Sequence, residues 1–85
     1  MSMTLEEACE YVFNGWAPRV ESYEIKGNTV HLKCKSAKGR EIYDGEVEII
    51  NGGERFTYWD AYKSNTSWIF GNNVCQMMTE GKITH

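Results

Sequence analysis

The chain has 85 residues, with 9 Lys and Arg against 12 Asp and Glu, and a formal net charge of -3. A chain of this length buries only about 60–65% of its unfolded surface, so we expect one domain (residues 1–85) with one modest core. A hydrophobic share of 41% excludes a disordered chain, and the acidic balance excludes sequence-independent binding of nucleic acid, which requires a net basic surface.

The first element is predicted to be a helix capped by Thr4. Thr4 and Glu7 have the spacing of a capping box, in which the two residues satisfy each other's amide groups at a helix N-terminus. In Leu5–Phe13 the apolar residues recur at intervals of three and four, so they form one stripe that faces a core. Asn14-Gly15 and Pro18 end the helix.

Between Val20 and Tyr62 the apolar residues recur at every second position, which predicts β-strands. Short turns divide this segment, so the strands should form an antiparallel meander. The predicted strands are Glu21–Lys26, Thr29–Lys35, Ile42–Ile50 and Arg55–Tyr62.

The turn lengths predict the register of this sheet. The loops are predicted to have two residues at Gly27-Asn28, four at 37–40 and two at Asn51-Gly52. These lengths place the apolar side chains of all four strands on one face of the sheet. A one-residue slip in the pairing would turn them to the other face. The predicted apolar face consists of Tyr23, Ile25, Val30, Leu32, Cys34, Tyr43, Val47, Ile49, Phe56 and Tyr58. Asp60 falls on the same face and requires a partner, such as a Tyr hydroxyl or a backbone amide.

The other face of the sheet is predicted to be polar. Its cross-strand rows are Glu24–His31–Glu46–Thr57, Ser22–Lys33–Asp44–Trp59 and Lys26–Thr29–Glu48–Arg55. Opposite charges meet in most of these rows, as expected for a solvated face. Trp59 is the exception, because it is a large aromatic side chain among charges.

The C-terminal segment from Ser64 onward has two interpretations. As a helix, its apolar residues Phe70, Val74, Met77 and Met78 lie on one face. As a hairpin, two short strands flank a turn at residues 71–73. The spacing favours the helix, so the predicted fold class is α+β: an N-terminal helix, a four-stranded antiparallel meander and a C-terminal helix, with a C-terminal hairpin that extends the sheet as the alternative.

Catalytic and metal-binding motifs are absent from the sequence, including the P-loop, the dinucleotide glycine motif, G-x-S-x-G and H-E-x-x-H. Cys9, Cys34 and Cys75 form no C-x-x-C pair and are interpreted as reduced core residues. His31 and Cys34 are three residues apart on one strand, so they face opposite ways and form no nucleophilic pair. We therefore expect a non-enzymatic protein with no cofactor and no metal.

Membrane and secretory signals are also missing from the sequence. No stretch approaches the 18 apolar residues of a membrane span, and the N-terminus lacks the basic start and apolar run of a secretory signal. With three unpaired cysteines, the expected location is the cytoplasm, with no membrane partner.

Aromatic residues exceed what a small core requires. Trp59 and at least one of Tyr62 and Trp68 should reach the surface, where such residues are typical anchors of protein interfaces. Asp44, Glu46 and Glu48 alternate along one predicted strand, so their carboxylates would resemble a row of phosphates. His31 lies between two carboxylates in its cross-strand row, which would make it a pH-sensitive contact. The candidate partner-binding residues are Trp59, Asp44, Glu46, Glu48, His31, Arg55, Tyr62 and Trp68.

In size, charge and architecture the chain resembles the short acidic α/β inhibitors encoded by phages and mobile elements, among them anti-CRISPR proteins. The resemblance implies an inhibitor of a larger, nucleic-acid-binding host protein, such as a defence effector. The alternative is a small-ligand or nucleotide-binding module in which Trp59, Tyr62 and Arg55 form an aromatic stacking pocket. A second copy of the chain is a further expected partner. A homodimer could bury the aromatic residues that one small core does not use, because the two cores would then join across a two-fold axis.

Overall fold

A computed structural model describes residues 3–15 and 17–82 and confirms the α+β fold. Its elements are α1 (Leu5–Gly15), β1 (Val20–Lys26), β2 (Thr29–Lys35), β3 (Ile42–Ile50), β4 (Arg55–Asp60) and α2 (Thr66–Glu80). The strands pair antiparallel in the order β1-β2-β3-β4. Both helices pack on the apolar face of this sheet, α2 over β3 and β4, and α1 against α2 and β1.

The capping box of α1 forms as predicted. Thr4 Oγ1 accepts a hydrogen bond from the Glu7 N–H at 3.2 Å, and Glu7 Oε1 accepts one from the Thr4 N–H at 3.1 Å. The predicted stripe faces the core, where Ala8, Cys9 and Val12 are fully buried. Local sequence therefore determines both the start of this helix and the face that it buries.

The register of β1, β2 and β3 follows the turn lengths as predicted, except at the start of β1. There the two-residue turn would oppose Glu21 to Cys34, but a β-bulge between Val20 and Ser22 brings Val20 to that position. The bulge keeps an apolar side chain over the core. Glu21 is left exposed, with its Oε2 3.3 Å from Lys35 Nζ.

The predicted pairing of β3 with β4 is wrong by two residues. The connecting loop has four residues, 51–54, instead of two, because Asn51, Gly52 and Gly53 all adopt positive φ angles and form a short 3-10 turn. Two residues are one full period of a strand, so every side chain stays on its predicted face. The observed polar rows are Glu24–His31–Glu46–Trp59, Lys26–Thr29–Glu48–Thr57 and Ser22–Lys33–Asp44.

Tyr58 is the exception on the apolar face. Its side chain lies on the predicted side of the sheet but is 46% exposed, because β4 is an edge strand and α2 does not cover its outer part. The buried apolar core consists of Leu5, Ala8, Cys9, Val12, Val20, Val30, Leu32, Cys34, Tyr43, Val47, Ile49, Phe70, Val74, Cys75, Met77 and Met78.

The C-terminal segment is a helix, so the hairpin alternative is wrong. The helix runs through residues 71–73, the proposed turn, and ends at Gly81, whose N–H donates to the carbonyls of Gln76 and Met77. Glycine is unfavourable inside a helix, but Gly71 is required because α2 packs closely against the sheet at this position. A Cβ at Gly71 would lie 2.7 Å from Phe56 Cδ2 and 2.8 Å from Val47 Cγ1.

A buried carboxylate holds the N-terminus of α2. Asp60, only 7% exposed, accepts hydrogen bonds from the Tyr62 N–H at 3.1 Å, the Ser64 hydroxyl at 3.0 Å and the Ser67 N–H at 3.3 Å. The residue at the N-cap position, Asn65, makes no side-chain cap, so Asp60 supplies the cap from the end of β4. The expected partnership of Asp60 with backbone amides is confirmed.

The Gly71→Ala substitution should destabilise the protein, although alanine normally favours a helix by about 1 kcal/mol over glycine. We expect the free energy of unfolding to fall by about 1–3 kcal/mol, because the new methyl group overpacks the interface between α2 and the sheet. The matched control is Gly15→Ala, where a Cβ would meet nothing within 4 Å. Urea unfolding of both variants measures the difference, and equal stabilisation by both would contradict the close approach.

The Asp60→Asn substitution should lower the free energy of unfolding by about 1–3 kcal/mol, because it replaces one buried acceptor oxygen with an NH2 donor that faces N–H and O–H donors. The control is Asp44→Asn, which removes an exposed carboxylate paired with Lys33 and should cost at most about 1 kcal/mol. Thermal and urea unfolding report both values. Similar losses for the two variants would show that Asp60 does not cap α2.

Candidate functional site

The face of the sheet that the helices leave uncovered carries most of the candidate residues. This polar sheet face consists of Ser22, Glu24, Lys26, Thr29, His31, Lys33, Lys35, Ile42, Asp44, Glu46, Glu48, Ile50, Arg55, Thr57 and Trp59. Trp59 is 56% exposed, and it lines a shallow cleft of about 520 Å³ with His31, Lys33 and Glu46. The face therefore presents one large aromatic side chain among charged groups.

Trp59 stands beside a contact between a carboxylate and a histidine. It opposes Glu46 on β3, and Glu46 Oε2 lies 3.3 Å from Nδ1 of His31. Both of these side chains are about half exposed. Of the two carboxylates expected around His31, the structure brings only Glu46 to the ring, because Glu24 lies 3.6 Å from Lys26 Nζ instead.

The three carboxylates of β3 share the polar sheet face but differ in their partners. Asp44 forms an ion pair with Lys33, and Glu46 pairs with His31. Glu48 is exposed and has no ion-pair partner within residues 3–15 and 17–82. The acidic row is therefore only partly neutralised, and its free charge lies at the Glu48 end.

Tyr62 and Arg55 do not join Trp59 in a stacking pocket. The ring of Tyr62 lies 4.5 Å from that of Tyr43, centroid to centroid, and its hydroxyl donates to Glu41, which raises the pKa of Tyr62. Arg55 borders a different cleft, the one between β4 and α2. The structure therefore separates the three residues that the nucleotide-binding alternative requires.

Trp68 lies on the other side of the sheet from Trp59. It is 44% exposed on α2, and its ring centroid is 6.4 Å from that of Phe56. With Tyr58 these two residues form an exposed aromatic surface along the outer edge of β4, here called the β4-edge patch. Sequence reasoning missed this patch, because alternation assigned Phe56 and Tyr58 to the core face. The available signal was the meander order, which makes β4 an edge strand.

The cysteines are core residues, as predicted. Burial raises the pKa of Cys9 to about 12 and those of Cys34 and Cys75 to about 11. At Cys34 the charge of Asp60 adds to this effect and the Ser67 hydroxyl opposes it. Ser67 Oγ is buried close to this thiol but makes no hydrogen bond of ordinary geometry among the described residues. None of the three thiols is an activated nucleophile.

Comparison with protein-family models, with curated proteins and with solved structures finds no match to this chain. Within the part of the chain that the structure describes, no three His, Cys, Asp or Glu side chains are grouped as metal ligands. Neither helix there is long and apolar enough to cross a bilayer. The function is therefore inferred from the chain's own residues.

The raised thiol pKa values predict slow labelling and base sensitivity. At pH 8 a thiol with a pKa of 11 is a thiolate in only about one molecule in a thousand, so an aromatic disulfide reagent should label the three cysteines only after unfolding in urea. Rapid labelling of the native protein at pH 8 would contradict this prediction.

The same pKa values predict that the protein loses stability in base. The folded chain holds the thiol protons more tightly than the unfolded chain, so the free energy of unfolding should fall as the pH rises above 9.0, the ordinary thiol pKa, toward 11–12.

Proposed function

We propose that the chain is a non-enzymatic protein-binding domain whose polar sheet face binds a basic surface of a larger protein. The observation that carries the proposal is Trp59, more than half exposed beside Glu46 on a face that neither helix of the described residues covers. Tryptophan is enriched among the residues that dominate binding energy at protein interfaces. An exposed tryptophan flanked on the sheet side by charged residues has the arrangement of an anchor beside a polar rim.

The charge of this face supports a basic partner. Its carboxylates are Glu24, Asp44, Glu46 and Glu48, together with Glu21 in the bulge of β1, and its cations are Lys26, Lys33, Lys35 and Arg55. All three lysines already pair with carboxylates, and Arg55 lies at one end of the face. Side chains two residues apart on a strand are about 6.8 Å apart, so β3 presents a regular row of anionic groups.

A regular row of anions is the feature that nucleic-acid-binding surfaces bind. We further propose that the chain binds such a nucleic-acid-binding surface on a larger host protein in the cytoplasm and thereby inhibits that protein. The resemblance to acidic inhibitors encoded by phages and mobile elements supports this direction, because such inhibitors block basic surfaces. A defence effector is the class of target that the resemblance implies.

A nucleotide-binding module is the alternative, and it has less support. The cleft at Trp59 is large enough for a small ligand. Its lining includes Glu24, Asp44 and Glu46, which repel phosphate groups. Arg55, the cation that would bind a phosphate, borders another cleft.

Substitutions on the polar sheet face test the proposal. Trp59→Ala and Glu46→Lys should each abolish capture of a partner from host lysate, because one removes the anchor and the other reverses the charge beside it. Both residues are exposed, so the melting temperature should stay within about 3 °C of the parent value. The matched control is Tyr11→Ala, which removes an aromatic side chain of equal exposure, 55%, from α1. Affinity capture followed by mass spectrometry measures the outcome.

The captured partner should itself bind nucleic acid, and heparin or added salt should release it from the complex. Capture that survives both substitutions would overturn the proposal. Recovery of a nucleotide in place of a protein would favour the alternative module.

A further inference from the structure

The outer edge of β4 carries backbone groups that have no partner among the described residues. The Ala61 N–H donates to the Asp44 carbonyl at 3.0 Å, just beyond the end of the β3–β4 ladder. Hydrogen bonding alternates along an antiparallel pair, so Thr57 and Trp59 also direct their backbone groups toward β3. The N–H and C=O groups of Phe56 therefore point away from the sheet, and those of Tyr58 do the same.

Nothing in β4 protects this edge. Natural sheets block pairing at an edge with a bulge, a proline, a lysine or a covering element. The other edge strand, β1, has a bulge between Val20 and Ser22, and its Tyr23 packs against Phe13 at a ring distance of 5.2 Å. β4 has the sequence Arg-Phe-Thr-Tyr-Trp-Asp, with no proline or lysine, and its ladder with β3 has no register shift.

We propose that two copies of the chain pair through their β4 edges as an antiparallel, two-fold symmetric dimer centred on Thr57. In that register Thr57 faces Thr57 of the second copy. The aromatic ring of Phe56 faces Tyr58 of the second copy, and the Arg55 guanidinium faces Trp59 of the second copy. Thr–Thr, aromatic and cation–π pairs all stabilise cross-strand neighbours. The edge is thus complementary to itself, which identifies a second copy as its occupant.

The β4-edge patch supports the same occupant. Tyr58 is 46% exposed and Trp68 is 44% exposed, on the side of the sheet that α2 covers only in part. The cleft between them, about 410 Å³, is lined on the α2 side by Trp68, Asn72, Cys75, Gln76 and Thr79, none of which carries a formal charge at neutral pH. Pairing of the two edges brings these clefts together across the axis and removes their aromatic surface from water.

The dimer does not depend on the proposed function, but it has a consequence for it. The two-fold axis is perpendicular to the sheet, so an eight-stranded sheet would carry both polar sheet faces on one side. Glu46→Lys changes the polar sheet face without altering the β4 edge. It should therefore lose partner capture and remain a dimer, which separates the two tests.

Light scattering on the pure protein tests the dimer directly. At about 50 μM the mass should be twice 9.8 kDa. Tyr58→Pro removes the outward N–H and the aromatic ring of one residue but no hydrogen bond of the β3–β4 ladder, so it should halve the mass while the circular dichroism spectrum stays native. Thr57→Lys should also halve it, because two like charges would meet on the axis, whereas in the monomer the lysine would oppose Glu48 favourably. The control, Ser22→Lys on the opposite edge strand, should remain a dimer.

A cysteine at the axis tests the register. Thr57 and its symmetry mate would form a non-hydrogen-bonded pair with Cα atoms about 4.5 Å apart, which is within disulfide range. Thr57→Cys should therefore form a covalent dimer with oxidised glutathione, since the native thiols are buried, and Ser22→Cys should not. A wild-type mass of 9.8 kDa, or a dimer that Thr57→Cys fails to crosslink, would overturn the proposal. A monomer whose capture of a partner protein is lost in Tyr58→Pro would assign the edge to that partner instead.

Discussion

Helix α2 approaches the sheet more closely than a side chain between them would allow, and this contact determines which surfaces of the molecule are buried. Glycine permits this approach from both sides: a side chain at Gly71 would overlap Phe56 and Val47, and one at Gly45 would overlap the Ser67 hydroxyl. Asp60 then holds the start of the helix at the end of β4, so the contact is fixed in position as well as in distance. Because the helix lies so near β3 and β4, this face of the sheet supplies the core everywhere except at the outer part of β4, where Tyr58 is exposed.

The same packing leaves two surfaces without a covering element in the described residues. The polar sheet face is charged and net acidic and carries Trp59 on its edge strand β4, which suits a basic partner. The β4-edge patch is aromatic and bordered by unpaired backbone groups, which suits another strand. The charged surface is therefore a face of the sheet, and the surface suited to strand pairing is an edge of the same sheet.

Much of this fold was predictable because it is encoded locally. The capping box of Thr4 and Glu7 starts α1, and the alternation of apolar residues assigns each strand residue to a face. The pairing of β3 with β4 was not predictable from alternation, since a loop of four residues gives the same faces as a loop of two. That difference decides the neighbour of the most prominent candidate residue, because it moves Trp59 from Asp44 to Glu46.

The order of α1 and the four strands, and the face of nearly every strand residue, follow from the sequence alone, because periodicity and capping act between residues close in the chain. The core position of the cysteines follows from the same patterns. The bulge that brings Val20 over the core in place of Glu21, and the coverage of each apolar residue, depend on the tertiary structure: Tyr58 has the parity of a core residue but lies beyond the reach of α2. The tertiary structure also decided that Asp60 caps a helix and that Tyr62, Trp59 and Trp68 lie apart. These outcomes depend on how far one helix extends over an edge strand, and no local pattern carries that information.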